Sequence, residues 1–347
     1  MTTRGFFRLS LAATCLTFVV ILLGAWVRLE DAGLGCPDWP GCYGMLLGVP
    51  QTEEAIAAAN VAYPERPVHV GKAWKEMIHR YAAGVLGLLV LALAIMAVRN
   101  RRRPGHPMTL PLFLGVLILA QSILGMWTVT WQLKPLVVTL HLLGGMATLC
   151  LLFWLTVRQG YLGRPVPPDT AARLRSWTLA VLAVVVVQVA LGGWVSTNYA
   201  ALACTDFPLC HGRVLPHADY GEAFVLWRGL GVDYEFGVLD HPARVAIHFV
   251  HRLGAVITAI AVVALAVAVW RRAAGTVAAV TAAVMAGLLV IQWLLGIGNV
   301  LLSLPLPLAV AHNGGAALLL LSVLALYHTL RPLPGRGSDV EVARRDG

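Results

Sequence analysis

The sequence predicts an all-α polytopic membrane protein whose eight transmembrane helices form two pseudo-twofold-related four-helix bundles. Composition, the spacing of apolar stretches and an internal repeat lead to this fold class. Hydrophobic residues make up 59% of the 347 positions, charged residues make up 12%, and the mean hydropathy is +0.76. Average proteins carry roughly 25% charged residues, so this composition indicates a chain largely surrounded by lipid.

Eight stretches have the roughly 20 mostly apolar residues that a membrane-spanning helix requires. The predicted spans are Phe7–Leu29, Glu76–Val98, Leu110–Trp131, Leu136–Val157, Trp177–Val195, Arg244–Trp270, Val277–Leu301 and Leu306–Leu330. A cleaved signal peptide is the alternative for the first stretch. Its apolar core is long and no small-x-small cleavage site follows it, so we interpret it as a retained span.

Basic residues cluster beside the spans in segments that the eight-span topology places on one side of the membrane. They are Arg4, Arg8, Arg99, Arg101, Arg102, Arg103, Arg158, Arg164, Arg173, Arg175, Arg271, Arg272, Arg331, Arg336, Arg344 and Arg345. Because Lys and Arg mark cytoplasmic segments, we expect a multi-pass plasma-membrane protein with both termini in the cytoplasm. The long loops 30–74 and 197–242 then face outward. The net charge of +9 follows from this topology, and no aromatic-basic module favours nucleic-acid binding.

The first half of the chain recurs in the second half. Four pairs of segments carry the repeat: Gly24-Ala-Trp-Val and Gly192-Gly-Trp-Val, Cys36/Cys42 and Cys204/Cys210, His79 and His251, and Gln121/His141 and Gln292/His312. The offsets are 168 residues for the first two pairs, 172 for the third and 171 for the fourth. An even number of spans per half returns the chain to its starting side, so the halves are parallel repeats about an axis along the membrane normal.

This repeat defines the predicted domain boundaries. Residues 1–158 form the N-terminal half, 159–175 a cytoplasmic linker, 176–332 the C-terminal half and 333–347 a cytoplasmic tail. Each half is expected to be a four-helix bundle, an architecture that places cofactors between facing helices.

Four histidines lie near the outer ends of spans 2, 4, 6 and 8, two in each half. They are His79, His141, His251 and His312. Two imidazoles that face each other across a bundle can occupy both axial positions of a haem iron. A packed, hydrogen-bonded histidine is the alternative for each position taken singly. A metal ion alone is less favoured, since each half offers two histidines whereas zinc takes four ligands.

The two halves differ at one informative position beside these histidines. Glu76 precedes His79 by three residues, and the equivalent position before His251 is His248. A carboxylate near a haem can act as an acid, a base or a stabiliser of positive charge. The alternative is an acidic residue that the dipole favours near a helix N-terminus.

Three arginines are candidates to pair with haem propionates at the outer surface. Arg80 and Arg252 directly follow the histidines, and Arg28 lies at the outer end of span 1. Guanidinium groups pair well with carboxylates. Interfacial snorkelling is the alternative for these side chains.

Each outer loop contains a pair of cysteines, Cys36 with Cys42 and Cys204 with Cys210. The outside of the membrane permits disulfides, so we predict two intra-loop bonds, with a structural role favoured over thiol exchange. Cys15 and Cys150 lie within spans and are interpreted as packing residues. The remaining histidines are interpreted as surface residues: His69, His106, His211, His217, His241 and His328.

Together these motifs resemble the Cox15/CtaA family of haem A synthases. The resemblance rests on Gly24-Ala-Trp-Val-Arg-Leu, Gly33-Leu-Gly-Cys-Pro-Asp-Trp-Pro, Glu76-x-x-His-Arg, His141-Leu-Leu-Gly, His251-Arg-Leu-Gly and His312. It covers almost the whole chain except the tails. It implies an oxidoreductase that converts the C8 methyl group of haem O to a formyl group, giving haem A for terminal oxidases.

The resemblance also implies roles for individual residues. His251 and His312 would hold haem b in the C-terminal half. His79 and His141 would ligate the substrate haem in the N-terminal half, where Glu76 would be needed for catalysis. The implied partners are haem O, membrane lipid, the haem O synthase that supplies the substrate, and an unidentified electron donor or acceptor. A bis-haem electron-transfer cytochrome and a haem transporter or chaperone remain the alternatives.

Overall fold

A computed structural model describes residues 4–103, 105–160 and 166–331, which form ten helices. The helices are α1 (Arg4–Leu29), α2 (Glu53–Ala62), α3 (Val70–Arg99), α4 (Thr109–Thr130), α5 (Pro135–Val157), α6 (Pro168–Thr197), α7 (Tyr220–Ala223), α8 (His241–Arg272), α9 (Val277–Leu301) and α10 (Leu306–Thr329). All except α2 and α7 are long and apolar enough to cross a membrane. The prediction of an all-helical, multi-pass membrane protein is therefore confirmed.

Three helices extend well beyond the spans that hydropathy predicts. Helix α3 begins at Val70, six residues before the predicted start, and α8 begins at His241. Helix α6 begins at Pro168, so the second half of the predicted linker 159–175 is helical. Pro168 occupies the first turn, where its missing N–H costs no hydrogen bond. Polar helical turns outside the bilayer carry no hydropathy signal, which explains the differences.

The two long loops, 30–74 and 197–242, contain two helices that hydropathy does not reveal. The Thr52 hydroxyl caps α2 by accepting a hydrogen bond from the Ala55 amide at 3.2 Å. The Asp219 carboxylate caps α7 in the same way, through the Glu222 amide at 3.0 Å. Such caps satisfy amides at a helix start that have no partner within the helix.

The long helices contact one another in two rings. Helices α1, α3, α4 and α5 form one closed set of neighbours, and α6, α8, α9 and α10 form the other. The halves meet where α1 contacts α10 and where α5 contacts α6 and α10. This connectivity fits two four-helix bundles. Arg164 and the tail 333–347, with Arg336, Arg344 and Arg345, lie outside the described residues.

The seam between the halves joins positions that the repeat makes equivalent. Arg28 donates a hydrogen bond to the backbone carbonyl of Ser196, 168 residues later, at 2.6 Å. The same guanidinium lies 4.0 Å from the centre of the Tyr199 ring and 3.5 Å from the Asp31 carboxylate. Arg28 therefore joins the C-terminal end of α1 to the C-terminal end of α6.

The two outer loops are also tied to each other. The Arg66 guanidinium pairs with the carboxylates of Asp233 and Glu235. Lys134, which is 1% exposed, donates to the backbone carbonyls of Arg228 and Gly229. A buried ammonium needs such acceptors to offset its desolvation. Arg66 thus joins the two long loops, and Lys134 joins the second of them to the turn between α4 and α5.

Three residues differ from their predicted environments. His328 was expected at the surface but is buried in α10, with its ring 5.8 Å from that of Trp154. His106 is partly buried, with its ring 4.9 Å from Phe6. Cys15 was expected to pack but is exposed on α1. Sequence period alone does not decide which face of a lipid-immersed helix meets a neighbour, because both faces are apolar.

Candidate haem-binding site

Each of the four histidines lies against a glycine of an adjacent helix. A methyl group on the glycine would come close to the ring carbon Cε1 at every site: Gly24 to His79 at 3.0 Å, Gly125 to His141 at 3.4 Å, Gly192 to His251 at 3.2 Å and Gly296 to His312 at 3.2 Å. Larger residues would displace the rings, since ordinary carbon–carbon contacts are about 3.5–4.0 Å. Each half therefore contains two such glycine–histidine contacts.

The two histidines of each half lie on helices that share the same two neighbours. His79 is on α3 and His141 on α5, both of which contact α1 and α4, and His251 is on α8 and His312 on α10, both of which contact α6 and α9. All four side chains are partly buried. The pairing of His79 with His141 and of His251 with His312 across a haem stays a prediction.

The ring nitrogens fit a metal-bound macrocycle. Nδ1 of His79, of His141 and of His312 is buried without a hydrogen-bond partner among the described residues. A buried polar atom without a partner costs free energy unless another group satisfies it. No cluster of three or more metal-ligating side chains occurs in the described ranges. Paired imidazoles suit an iron whose other ligands come from a porphyrin.

Glutamine side chains support the histidines of the C-terminal half. The Gln188 amide donates to the His251 carbonyl at 3.0 Å and lies 3.1 Å from Nδ1 of the ring. The Gln292 amide donates to the His312 carbonyl at 3.0 Å and lies 3.3 Å from Nε2. Sequence analysis assigns no role to Gln188, although its position four residues before Gly192 matches that of Gln292 before Gly296.

Glu76 connects α3 to the first disulfide loop. Its carboxylate accepts a hydrogen bond from the Cys36 amide at 2.8 Å and pairs with Arg80. Glu76 is 5% exposed, so both contacts offset the desolvation of a buried carboxylate.

His248 takes the corresponding place in the C-terminal half. The Cys204 amide lies 3.2 Å from its Nδ1, and Nε of Arg252 lies 3.1 Å from its Nε2. A neutral imidazole has one acceptor nitrogen, so it can accept only one of these hydrogen bonds at a time. A carboxylate accepts both. Glu76 in the first half is therefore the better hydrogen-bond acceptor. It also adds a negative charge at the position that His248 occupies in the second half.

Both predicted disulfides, Cys36–Cys42 and Cys204–Cys210, are present. Each loop is folded around the arginine that follows a site histidine. Arg80 donates to the carbonyls of Asp38, Pro40 and Gly41. Arg252 donates to those of Cys204, Asp206 and Leu209 at 2.8–2.9 Å. These contacts give both arginines a loop-holding role that the sequence did not reveal. Their pairing with propionates remains a prediction.

An aspartate inside each loop fixes the turn that follows a cis peptide bond, which is Trp39–Pro40 in the first loop and Phe207–Pro208 in the second. The Asp206 carboxylate accepts from the Gly212 amide at 2.8 Å and from the His211 amide at 2.7 Å. These hydrogen bonds hold the pKa of Asp206 below its ordinary value. Asp38 makes the same pair of bonds with Tyr43 and Gly44 in the first loop. The turn is thus preserved in both halves.

Comparison with known proteins gives a consistent result. The family model COX15-CtaA, described as cytochrome oxidase assembly protein, matches residues 7–324. A heme A synthase from Shewanella oneidensis is 46% identical over 318 residues, which cover 90% of this chain and 93% of the relative. A heme A synthase from Rhodospirillum centenum is 30% identical over 338 residues, covering 91% of this chain and 86% of the relative.

Proposed function

The chain belongs to the COX15-CtaA family of cytochrome oxidase assembly proteins, and we propose that it is a haem A synthase. The proposed reaction oxidises the C8 methyl group of haem O to a formyl group, giving haem A. The relatives named heme A synthase support this activity because they align over about nine-tenths of the chain.

In the proposed enzyme, each half of the chain holds one of the two haems. The N-terminal half takes the substrate haem through His79 and His141, and the C-terminal half holds haem b through His251 and His312. The fourfold glycine–histidine contact supports this assignment, since it provides two similar imidazole pairs. Haem b would supply the one-electron chemistry that side chains lack.

Glu76 is the residue that distinguishes the proposed catalytic half. It lies three residues before His79 on α3, so the two side chains share a helix face. Its equivalent, His248, sits in the same hydrogen-bonded frame without a carboxylate. This single difference carries the proposal that the N-terminal half is catalytic. In that role Glu76 accepts a proton or stabilises positive charge that develops on the substrate.

The overall reaction shows which reactants and which oxidant must come from outside the protein. A methyl group becomes a formyl group by R–CH3 + H2O → R–CHO + 4 H⁺ + 4 e⁻, through a hydroxymethyl stage and a final loss of water. The oxidant is dioxygen or an electron acceptor outside the chain. A haem O synthase would deliver the substrate, and the propionates would lie near the outer surface beside Arg28, Arg80 and Arg252. The proposed location is a plasma membrane, and the basic segments beside the spans support a topology with both termini in the cytoplasm.

The test is the haem content of a host that lacks haem A and carries the wild type, Glu76→Gln or His248→Gln. Glutamine retains an acceptor for the adjacent amide but removes the charge of Glu76. We expect Glu76→Gln to abolish haem A while haem b stays bound. The control His248→Gln should leave haem A production near the wild-type level.

Extraction and mass spectrometry of the haems separate the alternatives. A formylated haem that depends on the protein supports the synthase. Bound haem of unchanged mass in the wild type would indicate a cytochrome or a haem carrier instead. Normal haem A output from Glu76→Gln would remove Glu76 from the mechanism.

A further inference from the structure

The support of the four histidines is not symmetric. Three of the four glycines that contact a histidine have a glutamine four residues earlier in the chain: Gln121, Gln188 and Gln292. The position equivalent to Gln188 in the first half is Val20, 168 residues earlier. Among the described residues, no side chain makes a hydrogen bond to the His79 ring.

A second position, three residues after each histidine, changes together with the glutamine position. Each glutamine amide occupies the space beside a glycine three residues after a histidine, at Gly144, Gly254 and Gly315. A methyl group at any of these glycines would overlap the amide. The corresponding residue after His79 is Ala82, 172 residues before Gly254. The chain thus has three glutamine–glycine pairs, and at His79 it has valine and alanine.

Replacing the glutamine and the glycine together changes how firmly the histidine ring is held. A glutamine amide bound to the histidine carbonyl and touching the ring limits rotation of that ring. Loss of such an outer partner typically weakens metal binding 10- to 100-fold. Both histidines of the C-terminal half, His251 and His312, have this support. His79 lacks it.

We propose that Gln188–Gly254 and Val20–Ala82 are positioning pairs that make the C-terminal site retain its haem and the N-terminal site exchange its haem through release by His79. This inference rests on the proposed function, in which a substrate haem enters and a product haem leaves the N-terminal half in every turnover. The haem b of the other half has no such requirement. The site with the less restrained ligand is the site that must turn over.

The test measures release of haem b from the purified full-length protein to excess apomyoglobin, followed by the change in the Soret band. A His251→Ala background reports release from the N-terminal site, and a His79→Ala background reports release from the C-terminal site. We expect N-terminal release to be faster by about 10-fold or more. Val20→Gln with Ala82→Gly should slow it about 10-fold, and Gln188→Val with Gly254→Ala should speed C-terminal release by about 10- to 100-fold.

The two double variants test the inference independently, because each introduces a pair already present in the other half. Val19→Gln is the matched control for the added amide, since the Val19 side chain on α1 is 47% exposed and does not face a histidine. It should leave both release rates unchanged. Equal release from both sites, or rates unaffected by either pair, would overturn the inference while leaving the proposed function intact. Failure of both backgrounds to bind haem b would instead overturn the histidine assignment itself.

Discussion

The backbone amide of Cys36 donates a hydrogen bond to the carboxylate of Glu76, joining the first disulfide loop to helix α3 at 2.8 Å. The carboxylate also pairs with Arg80, whose remaining contacts hold the loop carbonyls. Glu76 is therefore a structural acceptor as well as the proposed catalytic group. Experiments on Glu76 have to separate these two roles.

Replacing Glu76 by alanine should destabilise the protein more than replacing it by glutamine. Alanine leaves the Cys36 amide and the Arg80 guanidinium without their acceptor, and an unsatisfied buried donor costs about 1–3 kcal/mol. Glutamine keeps one acceptor for the amide. Thermal unfolding in detergent checks the order: Glu76→Ala should melt below Glu76→Gln, and equal melting temperatures would show that the Cys36 contact contributes little.

Replacing the histidines of the C-terminal half should remove haem b from the protein. His251→Ala and His312→Ala each leave one axial position without an imidazole, so the low-spin b-type absorption spectrum should be lost. His248→Gln is the control, because glutamine keeps an acceptor for the Cys204 amide and His248 does not lie against a histidine-contacting glycine. An unchanged b-type spectrum in both ligand variants would assign haem b to other residues.

Adding a methyl group at Gly24 should weaken haem binding in the N-terminal half. The new carbon would lie 3.0 Å from Cε1 of His79, so the ring must move. Overpacking of this kind costs about 1–3 kcal/mol. Haem content of Gly24→Ala in a His251→Ala background, read from the haemochrome spectrum, should fall.

Gly84→Ala is the matched control for that substitution. Gly84 lies one turn and a residue after His79 on α3, and a methyl group there meets no atom within 4 Å. Helix propensity favours alanine over glycine by about 1 kcal/mol, so this variant should be as stable as the wild type or more so. A fall in haem content equal to that of Gly24→Ala would show that the ring contact is not responsible.

Acid should loosen the second disulfide loop. Because the pKa of Asp206 is depressed in the folded protein, its stabilising effect is complete above the ordinary value of 3.8 and is lost as the pH falls through the folded value. Hydrogen exchange of the His211 and Gly212 amides, corrected for intrinsic rates, should therefore accelerate below about pH 4. Asp206→Asn should show reduced protection at neutral pH and little further change on acidification.

The sequence predicted the eight spans, because hydropathy acts over many residues at once. The histidine pairing, which rests on the internal offset, stays a prediction. Sequence analysis missed α2 and the first two turns of α3, whose polar outer residues carry no span signal. It assigned Arg80 and Arg252 to haem propionates, with interfacial snorkelling as the alternative. Their contacts with loop carbonyls depend on where the disulfide loop folds back, and no spacing rule specifies that.

The glutamines show a different limit. The repeat of Gln121 at Gln292 was visible in the sequence, but its meaning required the third copy at Gln188 and its absence at Val20. A side-chain amide that reaches across a helix pair is a tertiary contact, which periodicity along one helix does not contain. Comparing the two halves position by position could have found it.

The hydrogen bond from Arg28 to Ser196 has an implication for how the chain was assembled. Two positions related by a repeat can touch only beside the axis that relates the repeats. In a dimer of two identical N-terminal halves, Arg28 would face another Arg28, and the like charges would repel. Serine at the second copy removes one of the two charges, and its backbone carbonyl still accepts the hydrogen bond from the remaining guanidinium. Two separately expressed halves should therefore join as a mixed pair more readily than two N-terminal halves pair with each other.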